Sequence, residues 1–203
     1  MPSTRPLTSV RRQRSRQVAD MPLVYLSPST QQFNPYVGGG NEEFWMNRIA
    51  DEVEPYLTAS GIDFIRNSPE MTARTSIEQS NNVGADLHVA IHSNASPDNL
   101  SGVLQGTDIY YYPTSRGGER MAQLLQDNFK DIYPDPDKVN IIPTTSLGEV
   151  RDTAAPSVLI ETAYHDNEED ADWIRDNTQE IAREIARAIT DYFGVPLVDI
   201  NEQ

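Results

Sequence analysis

The chain of 203 residues contains no cysteine. Disulfide bonds, thiolate metal ligands and a cysteine nucleophile are therefore excluded. Aromatic residues are sparse, at 8% of the chain, and no apolar run approaches the roughly 18 residues of a membrane-spanning helix. We therefore expect a chain that does not cross a membrane and whose modest core comes from apolar residues in periodic clusters.

Basic residues are also few, with 16 lysines and arginines against 31 aspartates and glutamates and a net charge of -15. A body this acidic should repel nucleic acid. Five of the arginines stand among the first 20 residues, beside a single aspartate and several serines, threonines and prolines. This stretch has no apolar periodicity, which predicts a disordered arm that could contact an anionic partner.

The arm contains a twin arginine, Arg11 and Arg12, but no apolar stretch follows it. The sequence therefore predicts no secretion signal. An organelle transit peptide is the weaker alternative, because the arm is rich in arginine and serine but shows no amphipathic helix.

Strand-like and helix-like apolar patterns alternate from residue 22 onward. The predicted strands cover 22–27, 62–67, 86–95, 106–113, 139–142 and 157–163. The predicted helices are one that begins at the N-cap Asn41 and stops before Gly61, one over 71–82, one around 121–129 and one around 181–192. This alternation predicts one α/β domain over 22–196 with a mostly parallel, twisted sheet and helices on both faces. An arm over 1–21 precedes it and a tail over 197–203 follows it.

Polar side chains capable of chemistry stand where predicted strands end, and this edge is where open α/β sheets bind ligands. His92 stands near the end of the strand 86–95, and Glu161 closes the apolar run SVLI. The helix that begins NEEF could bring Glu43 beside them. Histidine and carboxylate side chains without cysteine suggest hydrolysis assisted by zinc.

Simpler explanations exist for several of these residues. Glu42 and Glu43 could serve only to complement the helix dipole. His88 shares a strand face with His92, but about 13 Å of regular strand separates them, so both cannot bind one ion. We therefore interpret His88 as a buried, hydrogen-bonded histidine and favour a loop role for His165.

Four sequence blocks carry a resemblance to a known family: NEEFWMN, ADLHVAIHSNA, GTDIYYYP and GEVRDTAAPSVLIETAYHDN. Together they resemble the zinc-dependent N-acetylmuramoyl-L-alanine amidases of bacteria and phages, over about residues 22–194. These enzymes cut the amide between the lactyl group of N-acetylmuramic acid and the first L-alanine of the peptidoglycan stem. The resemblance implies a zinc cofactor held by Glu43 and His92, a catalytic Glu161 and an orienting Arg151. Asn47 matches the family's asparagine four residues after the glutamate.

One block departs from the family pattern. Where the family has an aspartate-proline-glycine-histidine motif, this chain has SPST, so that Thr30 stands in place of a zinc-binding histidine. The resemblance therefore implies a divergent branch that lacks the first histidine ligand. Gln32 or His165 could supply the third ligand.

The resulting hypothesis is a peptidoglycan hydrolase that acts through zinc-activated water, with Glu161 as the general base. The loop over 96–106 is expected to line a groove for the glycan. The chain would be made in the cytoplasm and act on the cell wall after lysis or assisted release. The alternatives are a catalytically impaired wall-binding or structural protein of a phage or injection particle, and another metal-dependent amide hydrolase.

Overall fold

The computed structural model describes residues 21–201, so the predicted arm lies outside the described residues apart from Met21. Within them, the strands are β1 (Leu23–Pro28), β2 (Asp63–Arg66), β3 (Leu87–Asn94), β4 (Thr107–Tyr111), β5 (Val139–Pro143) and β6 (Ser157–Tyr164). The helices are α1 (Glu42–Ala59), α2 (Ala73–Val83), α3 (Arg116–Ile132), α4 (Gly148–Arg151), α5 (Glu168–Asp176) and α6 (Thr178–Phe193).

The six strands form one sheet in the order β2-β1-β3-β6-β4-β5. All neighbouring strands are parallel except β4 and β6, which are antiparallel. The prediction of a mostly parallel α/β sheet is therefore confirmed. Because β1, β3 and β6 run in the same direction, their carboxyl ends meet at one edge of the sheet.

The two faces of the sheet are covered by different helices. Val89 and Ile91 of β3 are fully buried in the main core, to which α1, α3 and α6 contribute. Ala90, between them, faces the opposite side and packs with Val150 of α4 and Leu159 of β6. Alternate side chains of a strand point to opposite faces, so helices lie on both sides as predicted.

Helix α1 begins where the sequence predicts. The Asn41 side chain accepts a hydrogen bond from the Phe44 amide at 2.8 Å, as an N-cap does. Ile49, Val53 and Leu57 are fully buried along one face. Burial of an aliphatic side chain of this size stabilises a fold by about 1.5–3 kcal/mol. The N-cap fixes Glu42 as the first helical residue, and its side chain is buried at the edge of the sheet.

Two helices were not predicted from the sequence. Helix α4 has only four residues, which is too short for an apolar period to show. Helix α5 has the sequence EEDADWIRD, with three acidic residues in its first turn and few apolar residues. Both follow strands of the sheet closely, and α4 places Glu149 over β3.

The segment after α6, predicted as a tail, packs on the domain as far as the described residues reach. The Val198 amide donates to Ser60 Oγ at 2.9 Å, and Arg183 Nε contacts Asp199 at 2.7 Å. Leu197 packs against the main core. None of the helices within 21–201 is both long and apolar enough to cross a membrane.

Candidate active site

His92, on β3, lies between two carboxylates. Its Nδ1 is 2.9 Å from Glu42 Oε1, and its Nε2 is 3.2 Å from Glu149 Oε2. The side chains of all three residues are largely shielded from solvent, since 12% of His92, 1% of Glu42 and 5% of Glu149 is exposed. The ring is therefore fixed at both nitrogens by groups on α1 and α4.

The charged forms of these three residues stabilise one another. Burial lowers the pKa of His92, but the hydrogen bonds with Glu149 and Glu42 outweigh it and raise that pKa well above its ordinary value. Burial opposes ionisation of Glu42, yet the hydrogen bond with His92 lowers the pKa of the Glu42 carboxyl. The site therefore favours a protonated histidine between ionised carboxylates.

Glu42 has further partners at the N-terminus of α1. Its Oε2 accepts a hydrogen bond from Asn34 Nδ2 at 2.6 Å, and its Oε1 accepts from the Ser93 amide at 3.4 Å. A carboxylate in the first turn of a helix is also stabilised by the helix dipole. These contacts hold the carboxylate in place beside His92.

Glu149 connects His92 to a buried polar cluster. Its Oε1 accepts hydrogen bonds from Ser27 Oγ and from His88 Nε2, the latter at 3.2 Å. His88 is fully buried, and its other nitrogen is 3.0 Å from Ser80 Oγ. Burial raises the pKa of Glu149, but the hydrogen bonds with His88 and His92 outweigh burial and hold this pKa well below its usual range.

Glu161 pairs in register with His92 across β3 and β6. Its Oε2 atom is buried and has no hydrogen-bond partner among the described residues. Burial raises the pKa of Glu161 to about 7; His92 lowers it, while Glu42 and Asp108 raise it. A carboxyl with a pKa near neutral and an unpartnered oxygen is suited to accept and return a proton.

The structure brings Glu42, rather than the predicted Glu43, to His92. The Glu43 side chain makes no hydrogen bond within the described part of the chain. Its backbone carbonyl accepts from Asn47 Nδ2 at 2.7 Å, and Asn47 also bonds the Ser29 carbonyl at 3.1 Å. The reason is the packing of α1 on the sheet, which turns the side of the first helical turn that carries Glu42 towards β3.

The two residues predicted as additional ligands lie elsewhere. Gln32 is exposed, and its backbone carbonyl accepts from Asn41. His165 is buried and stacks on Tyr36 with 5.2 Å between ring centroids. Its Nδ1 is 3.0 Å from the Ser93 carbonyl oxygen, at hydrogen-bonding distance. Within residues 21–201, neither side chain hydrogen-bonds to His92.

Arg151 lies at the surface, although it follows Glu149 by only two positions. Its guanidinium pairs with Asp152 at 2.7 Å and donates to the Thr145 carbonyl at 3.2 Å. In the described structure it makes no hydrogen bond to Glu161. Glu149 is thus the site residue that the sequence analysis missed, because a one-turn helix gives no periodic signal that a glutamate is buried.

The donor set around His92 does not fit a zinc site with three protein ligands. Beside Nδ1 stand one carboxylate, that of Glu42, and the amide of Gln31, whose Nε2 is 3.4 Å from Nδ1. Thr30 lines the adjacent pocket but offers no imidazole. Residues 21–201 contain no group of three or more histidine, cysteine, aspartate or glutamate side chains that could hold a metal ion. Catalytic zinc usually has three protein ligands.

The loop after β3 is fastened beside the site by Asp166. Its carboxylate accepts from the Ser96 amide at 3.0 Å and from the Gly102 amide at 2.8 Å. Val103 in the same loop is 64% exposed. The loop over 96–106 therefore has a fixed backbone and an apolar side chain directed to solvent.

Comparison with known proteins gives a family and a fold. The family model described as N-acetylmuramoyl-L-alanine amidase matches residues 32–191, which is most of the chain. No curated protein sequence matches.

Solved structures of similar fold are numerous. The N-acetylmuramoyl-L-alanine amidase of Clostridium difficile 630 superposes with a TM-score of 0.77 at 17% identity, covering 87% of this chain and 98% of that one. The catalytic domain of CwlV from Bacillus (Paenibacillus) polymyxa var. colistinus gives 0.76 at 21% identity, covering 87% and 100%. AmiC2 of Nostoc punctiforme gives 0.73 at 22% identity, covering 85% and 97%. At these identities the structural likeness establishes the fold, and the family assignment rests on the family model.

Proposed function

This chain belongs to the N-acetylmuramoyl-L-alanine amidase family, and from that premise we propose how its own residues carry out the reaction. The family activity is hydrolysis of the amide between N-acetylmuramic acid and L-alanine in peptidoglycan. The observation that carries the proposal for this chain is the buried, unpartnered Oε2 of Glu161 beside His92.

Glu161 acts as the general base. Its carboxylate takes a proton from a water molecule, and the water oxygen bonds to the carbonyl carbon of the substrate amide. The carbon–nitrogen bond then breaks, and Glu161 returns the proton to the leaving nitrogen of L-alanine. The products are a free lactyl carboxylic acid and a free peptide amine, so the water molecule is fully accounted for.

His92 controls the state of that base. Its charge lowers the pKa of Glu161 and so counteracts burial and the neighbouring carboxylates, which raise it. Because Glu42 and Glu149 hold both ring nitrogens, the imidazole keeps its position beside Glu161. His92 therefore keeps part of the Glu161 population ionised near neutral pH.

The family is generally zinc-dependent, but no step here is assigned to a metal because the donor set around His92 lacks a third ligand. The same lack favours one second candidate function, a protein on the amidase fold that binds peptidoglycan without cutting it. Contact of the arginine-rich arm with an anionic partner, and assisted release to the wall, remain proposals from the sequence alone.

Incubation of the purified chain with insoluble peptidoglycan tests the proposal. We expect release of stem peptides with a free L-alanine amine, identified by mass spectrometry. Glu161→Gln should lower this rate by roughly two to four orders of magnitude, the usual contribution of a general base. Glu180→Gln, at an exposed position in α6, is the matched control and should retain full activity.

Two other outcomes would count against the proposal. Cosedimentation of the chain with peptidoglycan without any cleavage would favour the binding protein. Full activity of Glu161→Gln, alongside full activity of the control, would show that the base is another residue.

A further inference from the structure

We propose that this chain holds His92 between two carboxylates where related enzymes hold zinc, and that its amide cleavage does not depend on bound zinc. The inference deepens the proposed function and rests on it only for the cleavage experiment. The zinc-binding part concerns the donor set and can be tested on its own.

The first argument is the occupancy of both nitrogens of His92. Nδ1 faces Glu42 Oε1 at 2.9 Å and Nε2 faces Glu149 Oε2 at 3.2 Å. Each ring nitrogen therefore already has a carboxylate oxygen at hydrogen-bonding distance. A metal ion that bound either nitrogen would have to replace that hydrogen bond.

The second argument is that the two carboxylates cannot join at one ion. Each stands against a different nitrogen of the same planar ring, so the ring lies between them. Glu149 is also held from behind by Ser27 and His88, and Glu42 by Asn34. A shift of either glutamate to the other nitrogen would break these buried hydrogen bonds, which is unfavourable.

The third argument concerns the groups nearest Nδ1. The Gln31 amide is 3.4 Å from Nδ1, and the Asn34 amide bonds to both Gln31 and Glu42. Zinc sites in proteins are built mainly from histidine, cysteine and carboxylate ligands. The Gln31 atom that faces Nδ1 is the amide nitrogen, which is a hydrogen-bond donor and offers no lone pair to a cation. The two amides complete a hydrogen-bond network around His92 and supply no third metal ligand.

Titration of the dialysed full chain with zinc chloride alone, followed by calorimetry and elemental analysis, tests the inference. We expect no stoichiometric site in the wild type. Gln31→His should create one, because an imidazole at this position would join His92 Nδ1 and Glu42 as the third protein ligand that catalytic zinc usually has. Zinc affinity should rise by at least about tenfold. Gln32→His is the matched control, since that side chain is exposed and should leave zinc binding unchanged.

One zinc per wild-type chain, lost in a folded His92→Ala variant, would overturn the inference. So would peptidoglycan cleavage that a chelator abolishes and zinc restores. Cleavage that persists in chelator supports the inference. Absence of cleavage under every condition would instead overturn the proposed function. The zinc titration would still decide whether Glu42, His92 and Glu149 take the place of a metal site.

Discussion

His92 and Glu161 occupy paired positions on the adjacent parallel strands β3 and β6. The register places the imidazole and the carboxyl group at the same edge of the sheet. The chain between the two strands includes β4, α3, β5 and α4. The backbone pairing of β3 with β6 therefore fixes the positions of His92 and Glu161 relative to each other. Side chains at the ends of central strands are held more firmly than those on loops, which suits residues whose separation must stay fixed.

Glu42 and Glu43 form a natural pair for comparison. Glu42→Gln removes the negative charge that faces His92, so amide cleavage should fall at least about tenfold, in line with the loss of a charge-assisted hydrogen bond. Glu43→Gln should leave the rate within about twofold, because the half-buried Glu43 side chain makes no hydrogen bond in the described part of the chain. Steady-state cleavage of a soluble muropeptide measures both. Equal losses in the two variants would argue against a special role for Glu42.

The stability of the fold should depend on pH through Glu161. Its pKa rises from 4.5 to about 7 in the folded chain, so the folded state binds its proton more tightly than the unfolded state. The resulting stabilisation is complete below pH 4.5 and is lost as the pH rises through about 7. Its size is at most about 3 kcal/mol.

Urea unfolding of the wild type and Glu161→Gln between pH 4 and pH 8 isolates this effect, because other titrating groups are common to both proteins. We expect the free energy of unfolding of the wild type to fall relative to that of the variant as the pH rises. Parallel curves would show that the Glu161 carboxyl titrates alike in the folded and unfolded states.

Glu149 should be one of the most sensitive carboxylates for stability. Glu149→Ala leaves His88 and His92 without the carboxylate between them, and loss of one partner from a buried ion pair destabilises a fold by about 3–5 kcal/mol. Glu119→Ala, at an exposed position in α3, is the control and should change stability by less than about 1 kcal/mol. Chemical denaturation followed by circular dichroism measures both. A small effect of Glu149→Ala would mean that water readily replaces the carboxylate.

We propose that Arg151, which the resemblance implies to be an orienting residue, contacts the substrate from the surface of the protein. Its side chain is 45% exposed, and its guanidinium could pair with a carboxylate of the stem peptide. Arg151→Gln should therefore raise KM severalfold and leave kcat nearly unchanged, because the interaction is made equally in the ground and transition states. A large fall in kcat would instead favour the orienting role that the family resemblance implies.

Much of this architecture could be predicted from the sequence because the strands and longer helices bury regular apolar patterns. The Asn41 cap, the strand that carries His92 and the buried strand that carries Glu161 all have local signals. The choice between Glu42 and Glu43 could not be made in this way. It depends on which side of the first helical turn faces β3, and that is set by tertiary packing.

The part played by Glu149 could not be predicted either. A carboxylate on a one-turn helix is normally exposed, and only the folded chain shows Ser27, His88 and His92 converging on it. The zinc prediction came from the histidine and carboxylate side chains at the strand ends and from the resemblance, which Thr30 already weakened. Only the geometry shows what surrounds His92 on the side where a third ligand would have to stand.

The central position of β6 also has a consequence for how the site comes into being during folding. Strand β6 lies between β3 and β4, yet it follows both along the chain, so its pairing with β3 closes a long loop. Contacts between residues distant in sequence form slowly because the entropy of loop closure opposes them. Residues His92 and Glu161 can meet only once this pairing is complete. Enzymatic activity should therefore return late on refolding, after the helical signal, and a growing polypeptide should remain inactive until β6 has been synthesised and has paired with β3.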